Sequence, residues 1–139
     1  MAEAPVVPKP LPRPTPLTQA YWDALREHRI VIPRRGDGTY FWYPRVLEPG
    51  TLAEGWEWAP VSGRGTVYAF TIDRRGTAIA FAADVPYVIA IVELEEGPRL
   101  TTNIVGCAVE EVRIGMPVEA VFEDLEEGVT LLKFRPATT

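Results

Sequence analysis

Cysteine, histidine and lysine are scarce in this chain of 139 residues. The single cysteine, Cys107, excludes an intramolecular disulfide and any metal site built from cysteines alone. Lys9 and Lys133 are the only lysines and the formal net charge is −5, so the clustered positive charge that binds nucleic acid or an anionic membrane is missing. The sequence has no apolar run near the roughly 20 residues that span a bilayer, and its first residues do not resemble a signal peptide. We therefore expect a soluble cytoplasmic protein.

The familiar catalytic and metal-binding motifs are also missing from the sequence. A Cys–His nucleophile pair would have to join Cys107 to His28, which fall in different predicted elements. We expect Cys107 to be a small buried side chain and His28 to be a surface residue at the end of a helix. The paired glutamates flank predicted turns, where carboxylates are solvated. The sequence thus predicts no catalytic residue, no cofactor and no bound metal.

Proline, by contrast, is concentrated at the start of the chain, at positions 5, 8, 10, 12, 14 and 16. Such a segment lacks the N–H groups for regular hydrogen bonding and favours an extended, polyproline-like conformation. Residues 1–17 are therefore predicted to be an arm that lies along this domain or along a partner. The stretch Lys9-Pro10-Leu11-Pro12-Arg13 also resembles a ligand of an SH3-type domain.

Residues 18–60 are predicted to form a helix and a small module of hairpins. Thr18 is a suitable N-cap, and residues 19–29 contain neither glycine nor proline. An apolar stripe with helical spacing consists of Ala20, Tyr21, Ala24, Leu25 and His28, with Trp22 at its edge. Short strands are expected at 30–32, 40–43 and 56–58, with an Asp-Gly turn at 37–38.

Aromatic residues crowd this module. They are Tyr40, Phe41, Trp42, Tyr43, Trp56 and Trp58. The segment is too small to enclose them all, and a large exposed apolar surface on a small domain usually marks an interface. Alternatively, the aromatic residues pack the module against the rest of the protein. Both interpretations can hold for different members of the set.

From residue 61 to residue 139 the pattern is entirely that of β-strands. Runs of β-branched and aromatic residues occur at 66–72, 85–94, 100–105, 117–122 and 129–134, separated by turns that contain glycine. Five or six strands at this spacing, without a long helix between them, favour a small barrel over a parallel α/β sheet.

Several short motifs follow one another in a characteristic order. They are Tyr43-Pro44-Arg45, Trp56-x-Trp58, Ser62–Tyr68, Pro86-Tyr87, Glu96–Leu100, Thr102–Gly106, Val112–Val118 and Phe134–Pro136. In this order they resemble the zinc-ribbon plus OB-fold family, from about residue 15 to residue 136. The resemblance implies a mainly β fold, in which an N-terminal arm and helix lead into a rubredoxin-like ribbon. A five-stranded OB-fold barrel then occupies residues 61–139.

The ribbon of that family normally carries four zinc-binding cysteines, and this sequence lacks them. The flanking residues place the four positions on Arg34, Asp37, Glu48 and Thr51. Arginine cannot ligate zinc and threonine is a poor ligand for it, whereas a structural site needs four good ligands. The resemblance therefore implies a degenerate ribbon without zinc, in which Arg34 forms an ion pair with Asp37 or Glu48.

The resemblance also implies a function. Members of the family are accessory subunits of thiolase-superfamily proteins, including acyltransferases and steroid side-chain aldolases, or of hotdog-fold enoyl-CoA hydratases. The leading hypothesis is a non-catalytic subunit of a thiolase-like retro-aldolase that acts on a β-hydroxyacyl-CoA held mainly by the partner. A thiolase-like acyltransferase partner, a hydratase partner and a free-standing acyl-CoA-binding module are the alternatives. Self-sufficient hydrolysis or hydration lacks a plausible acid–base pair.

Seven residues are expected at the partner surface or at the acyl-CoA entrance. They are Tyr43, Arg45, Trp56, Trp58, Arg64, Phe81 and Tyr87. A nucleic-acid ligand is not expected, because OB-fold faces bind nucleic acid with basic grooves and the barrel segment contains one lysine, Lys133.

Overall fold

The structure, a computed structural model, describes residues 7–138, so the first six residues of the predicted arm and Thr139 lie outside the described residues. This part of the chain contains one α-helix, α1 (Gln19–Arg26), and a two-stranded sheet of β1 (Val31–Arg34) and β2 (Glu57–Pro60). The remaining strands are β3 (Arg64–Asp73), β4 (Tyr87–Leu94), β5 (Arg99–Ile104), β6 (Pro117–Asp124) and β7 (Thr130–Pro136). Short 3₁₀ helices lie at Ile79–Asp84, Val109–Glu111 and Glu126–Gly128. Within residues 7–138, every helix is too short or too polar to cross a membrane.

The helix differs from the prediction at both ends. Thr18 does not cap it with its side chain; instead, its Oγ1 accepts the N–H of Thr15 at 2.9 Å, which fixes the turn before the helix. The helix ends at Arg26, earlier than predicted, because His28 takes a left-handed φ of 58°. The N–H of Arg29 then donates back to the Ala24 carbonyl at 2.9 Å and closes the last turn.

The predicted aromatic strand at 40–43 is wrong. The partner of β1 is β2, which pairs with it in antiparallel register so that Arg34 lies opposite Glu57. Residues 40 and 41 contribute only an isolated bridge to Arg34 and one hydrogen bond from the Phe41 N–H to the Pro33 carbonyl, at 3.0 Å. Proline at position 44 has no N–H to donate, and the chain continues in turns towards β2.

The predicted five-stranded barrel is confirmed. The barrel is closed in the order β3-β4-β5-β7-β6, with one parallel contact, between β5 and β7. Alternate residues of each strand point inwards, and the most deeply buried are Val67, Val88, Val92, Val118 and Phe134. Gly65 allows β3 to approach β4 closely, because a Cβ at this position would lie 2.4 Å from the Glu93 carbonyl oxygen.

The helix and the small sheet share one hydrophobic core with the barrel. Leu25 of α1, Ile30 just before β1 and Ile32 of β1 belong to the same buried cluster as the inward residues of β4 and Phe134 of β7. This packing sets the helix between the small sheet and the barrel, which is where the candidate site forms. The predicted domain boundaries at 17/18 and 60/61 stay a prediction.

Candidate partner-binding surface

The four positions implied for zinc do not form a ligand set. Arg34 pairs with Glu57, its cross-strand neighbour on β2, so the expected pairing of Arg34 with Asp37 or Glu48 is wrong. The Asp37 carboxylate accepts hydrogen bonds from the N–H and hydroxyl of Thr39, at 2.9 and 2.6 Å. Thr51 donates its hydroxyl to the buried Glu48 carboxylate at 2.5 Å.

These contacts do not fit a zinc ion, since one position is a cation and the carboxylates are already engaged. Across residues 7–138, His, Cys, Asp and Glu side chains do not gather in any group of three that could hold a metal.

Two of the predicted surface residues, Trp56 and Trp58, contribute to the packing of the small module, and the backbone of a third, Arg45, is bonded to Trp56. Trp56 and Trp58 lie edge to face with ring centroids 5.1 Å apart, and Trp56 packs in the same way on the buried Phe41 at 5.6 Å. The indole N–H of Trp56 donates to the Arg45 carbonyl at 2.6 Å. Both tryptophans are half-buried, so their packing stabilises the small module, which in a zinc ribbon would be stabilised by the metal.

Tyr43 lies in a different place, at the rim of what we call the aromatic groove. Four aromatic rings adjoin one another there. The ring centroid of Tyr21 lies 5.1 Å from that of Trp22 and 4.8 Å from that of Trp42, and the centroids of Trp42 and Tyr43 are 5.1 Å apart. The groove has a volume of about 320 Å³ and lies between α1, the chain after Tyr40 and strands β5 and β7. Its other lining residues are Thr18, Pro44, Leu100, Thr101 and Leu132.

All residues that line the aromatic groove are uncharged. Burial raises the pKa of the Tyr21 hydroxyl far above its usual value, and the nearby Tyr43 hydroxyl adds to the effect. Tyr21 is therefore a neutral hydrogen-bond donor at any physiological pH. The Tyr43 hydroxyl makes one long hydrogen bond, 3.4 Å to the Thr101 hydroxyl, and the Tyr43 side chain is 54% exposed. The groove is thus suited to an uncharged, largely apolar group that offers hydrogen-bond acceptors.

Phe81, in the long connection between β3 and β4, lies beside Tyr87 at the start of β4, with their ring centroids 6.4 Å apart. Tyr87 donates its hydroxyl to the Asp73 carboxylate at 2.9 Å, which raises the pKa of Tyr87. Lys9 of the arm lies over the Phe81 ring at 5.7 Å and pairs with Asp84 at 2.5 Å. The part of the arm around Lys9 therefore lies against this connection.

Arg64, the last of the seven, is exposed on β3 and lies 4.0 Å from Glu95. The seven residues thus fall into four places rather than one cluster. The groove residues that were not selected as site residues are Thr18, Tyr21, Trp22, Trp42, Pro44, Leu100, Thr101 and Leu132. Two of them gave a signal in the sequence: Trp42 belongs to the crowded aromatic set, and Trp22 lies at the edge of an apolar stripe, where a tryptophan is only partly used by the core.

The family is decided by comparison with known proteins. A family model of the C-terminal OB-fold domain of ChsH2 matches residues 58–123. A DUF35 domain-containing scaffold protein of Methanocaldococcus jannaschii is 39% identical over 124 residues, which cover 83% of this chain and 87% of that protein. This chain belongs to the DUF35 family.

Other relatives of this DUF35 chain are named as enzyme subunits. A probable enoyl-CoA hydratase alpha subunit of Thermomonospora curvata is 37% identical over 94% of this chain. The 3-oxo-4,17-pregnadiene-20-carboxyl-CoA hydratase alpha subunit of Mycobacterium tuberculosis is 34% identical over 79% of it. The chain spans 41% and 35% of the lengths of these two proteins. One chain of the solved Ltp2-ChsH2(DUF35) aldolase superposes with a TM-score of 0.82 and 34% identity, covering 91% of this chain and 99% of that one.

The chemically reactive residues of this DUF35 chain do not form a nucleophile–base pair. Burial, and then the charge of Glu111, raise the pKa of the Cys107 thiol, which disfavours the nucleophilic thiolate. His28 lies at the surface just after α1, as predicted, with Nε2 2.9 Å from the Asp124 carboxylate and its ring stacked on Phe122 at 5.0 Å. This contact ties the end of the helix to strand β6.

Proposed function

We propose that this chain is a non-catalytic accessory subunit of a thiolase-superfamily acyl-CoA enzyme, most directly a retro-aldolase. Its substrate would be a β-hydroxyacyl-CoA such as a steroid side-chain thioester. One observation carries the proposal: the chain matches 99% of a chain of the Ltp2-ChsH2(DUF35) aldolase at 34% identity. The name of the mycobacterial relative, which contains a pregnadiene carboxyl-CoA, supports the steroid substrate.

The chemical requirements of a retro-aldol cleavage indicate which subunit supplies the reacting groups. A base removes the proton of the β-hydroxyl, the Cα–Cβ bond breaks to give a carbonyl compound, and the thioester enolate takes up a proton. The enolate oxygen needs hydrogen-bond donors in a site that excludes water. His28 is exposed and engaged with Asp124, and Cys107 has a raised pKa, so neither is suited to act as that base. The partner supplies the reacting groups in this proposal.

This chain contributes a binding surface. The aromatic groove and the exposed ring of Tyr43 form an apolar surface without charge, which is the composition of an interface centre. Phe81, Tyr87 and Arg64 would lie nearer the edge of the contact or at the acyl-CoA entrance. We also propose that residues 18–60 form the ribbon module and residues 61–139 the OB-fold domain of the subunit, with residues 1–17 as an arm.

A hydratase complex is the second candidate, and a specific observation favours it. Two relatives are named as hydratase alpha subunits, one of a probable enoyl-CoA hydratase and one of a pregnadiene carboxyl-CoA hydratase, and this chain matches about two-fifths or less of each. In that case the partner would be a hotdog-fold hydratase, and water would add to an enoyl-CoA.

Reconstitution tests the proposal and separates the two candidates. The purified chain is titrated into a thiolase-like protein and, separately, into a hotdog-fold protein from the same organism. Cleavage of a β-hydroxyacyl-CoA is followed through its carbonyl product, and hydration through loss of the enoyl-CoA absorbance. We expect cleavage with the thiolase-like protein only, at full rate only when both chains are present. Full activity of the partner alone would exclude an accessory role, and turnover by this chain alone would show that it is an enzyme.

A further inference from the structure

The aromatic groove contains hydrogen-bond donors that the protein itself does not use. Elsewhere, the hydroxyl of Tyr40 donates to the Pro60 carbonyl and the indole of Trp56 to the Arg45 carbonyl. The hydrogen bonds within residues 7–138 include none from the indoles of Trp22 and Trp42 or from the hydroxyl of Tyr21, and because none of these groups is fully buried without a partner, they are open to solvent. A ligand with free carbonyl oxygens would satisfy these donors.

We propose that the aromatic groove binds an extended, proline-containing segment of the partner subunit, followed by an acidic residue that meets Arg45. This inference rests on the proposed function for its partner, and it adds the chemistry of the segment that the partner presents. It explains why the groove combines flat rings, two leucines and hydroxyl or indole donors, and has no charge in its lining.

A polyproline segment matches this lining for physical reasons. It has no internal hydrogen bonds, so its carbonyl oxygens are free to accept from tyrosine and tryptophan. Its proline rings pack flat on aromatic faces, and its stiffness lowers the entropy lost on binding. A partner helix would fit less well, because its carbonyls are already bonded within the helix and the three donors of the groove would stay unsatisfied.

The groove adjoins a surface where a proline-rich segment already packs. Trp22 lines the aromatic groove and also a neighbouring groove of about 620 Å³, whose other wall is the chain's own arm at residues 10–14. The arm is held there at one end by the pairing of Lys9 with Asp84 and at the other by the hydrogen bonds between Thr15 and Thr18. Residues 10–14 therefore lie outside the aromatic groove, which leaves it open to a segment of another chain.

The positive charge of Arg45 favours a segment of the partner over the proline-rich arm of a second copy of this chain. Arg45 directly follows Pro44, which lines the groove; Arg45 is exposed and takes part in no ion pair among the described residues. The prolines of the arm are interleaved with Lys9 and Arg13, which would meet Arg45 with like charge. An acidic residue after the prolines would instead be attracted to it.

The test uses the full chain and synthetic peptides. The probe is a fluorescein-labelled peptide, Pro-Pro-Leu-Pro-Pro-Leu-Pro-Glu-Glu, and its binding is followed by fluorescence anisotropy. Two matched peptides replace the prolines by alanine or the glutamates by lysine. We expect saturable binding of the probe, at least tenfold weaker binding of the alanine peptide and a measurable loss with the lysine peptide. Absence of saturable binding, or equal binding of the alanine peptide, would overturn the proposal.

Matched variants locate the binding site. Tyr21→Phe removes one hydroxyl donor and should weaken binding about three- to tenfold, since a hydrogen bond contributes about 0.5–1.5 kcal/mol. Tyr68→Phe removes the same atom from the outer face of β3 and should leave binding unchanged. Tyr43→Ala, at an exposed residue, should weaken binding at least tenfold. Equal effects of Tyr21→Phe and Tyr68→Phe would overturn the proposal. Because these assays contain no partner, they can succeed or fail independently of the proposed function.

Discussion

Replacing Tyr43 by alanine should weaken the complex with the partner and leave the fold intact. Trp58→Ala should instead destabilise the fold. The difference follows from burial: the Tyr43 side chain is 54% exposed, whereas Trp58 is half-buried, lies 5.1 Å from Trp56 and faces the buried Pro33 across the small sheet. A sequence-based choice of Trp58 as the interface anchor would confuse loss of binding with loss of structure.

The magnitudes follow from the same contacts. Full burial of a large apolar side chain stabilises a fold by about 1.5–3 kcal/mol, so loss of the half-exposed Tyr43 ring should cost about 1 kcal/mol of folding free energy. Truncating an aromatic anchor that a partner buries costs about 2 kcal/mol or more in binding, which is about thirtyfold in affinity. Trp→Ala in a core costs about 3–5 kcal/mol, and roughly half of that is expected for the half-buried Trp58.

Two measurements separate these effects. Urea unfolding gives the free energy of unfolding of each variant, and titration into the thiolase-like partner, read by substrate cleavage, gives its affinity. Tyr68→Ala is the control, since the Tyr68 side chain is 47% exposed and lies outside the aromatic groove. Wild-type affinity of Tyr43→Ala would refute the assignment of the groove to the interface. A loss of more than about 2 kcal/mol in its folding free energy would refute the reading of Tyr43 as a surface residue.

Three further predictions concern the fold. The purified protein should contain no stoichiometric zinc by metal analysis, and a chelator should not change its melting temperature, because Arg34 occupies a ligand position and pairs with Glu57. Gly65→Ala should lower the free energy of unfolding by about 1–3 kcal/mol, since its Cβ would meet a backbone oxygen at 2.4 Å. Gly36→Ala is the control: its Cβ would have open space around it, so the free energy of unfolding should not change. Hydrogen bonds from Thr130 and His28 hold the pKa of Asp124 below its usual value, so this carboxylate stabilises the fold above its unfolded-state pKa of about 3.9. The stability difference between wild type and Asp124→Asn in urea should therefore shrink as the pH falls through the lower, folded-state pKa.

The barrel was predictable because its information is local. Alternating β-branched residues mark each strand, and the glycines between them mark the turns. The end of α1 was not predictable, because nothing in the sequence around His28 marks a residue with left-handed backbone angles. The helical pattern of the sequence continues to Arg29, although the helix ends at Arg26. The strand expected at 40–43 failed for a different reason: its residues favour β structure, but β2 occupies the position beside β1.

The aromatic groove could not be read from the sequence, because its walls come from segments far apart in the chain. Tyr21 lies on a helix, Trp42 in a loop, Leu100 on β5 and Leu132 on β7. The density of aromatic residues between positions 40 and 58 did indicate an interface, but density does not distinguish the rings that pack the module from the ring that stays exposed. Only tertiary packing makes that distinction, by placing Trp56 edge to face against Phe41.

The ion pair in the small sheet shows the same limit at the level of single residues. The family resemblance places Asp37 and Glu48 at ligand positions of a ribbon, so either was a reasonable partner for Arg34. The antiparallel register instead places Glu57 directly opposite Arg34, and directly opposed side chains on neighbouring strands interact most strongly. Glu48 is then free to turn inwards and accept the hydroxyl of Thr51, a short-range contact that needs no second strand. Register, which depends on which segments pair, therefore decides the charge partner, and it is set by the whole sheet rather than by the residues around Arg34.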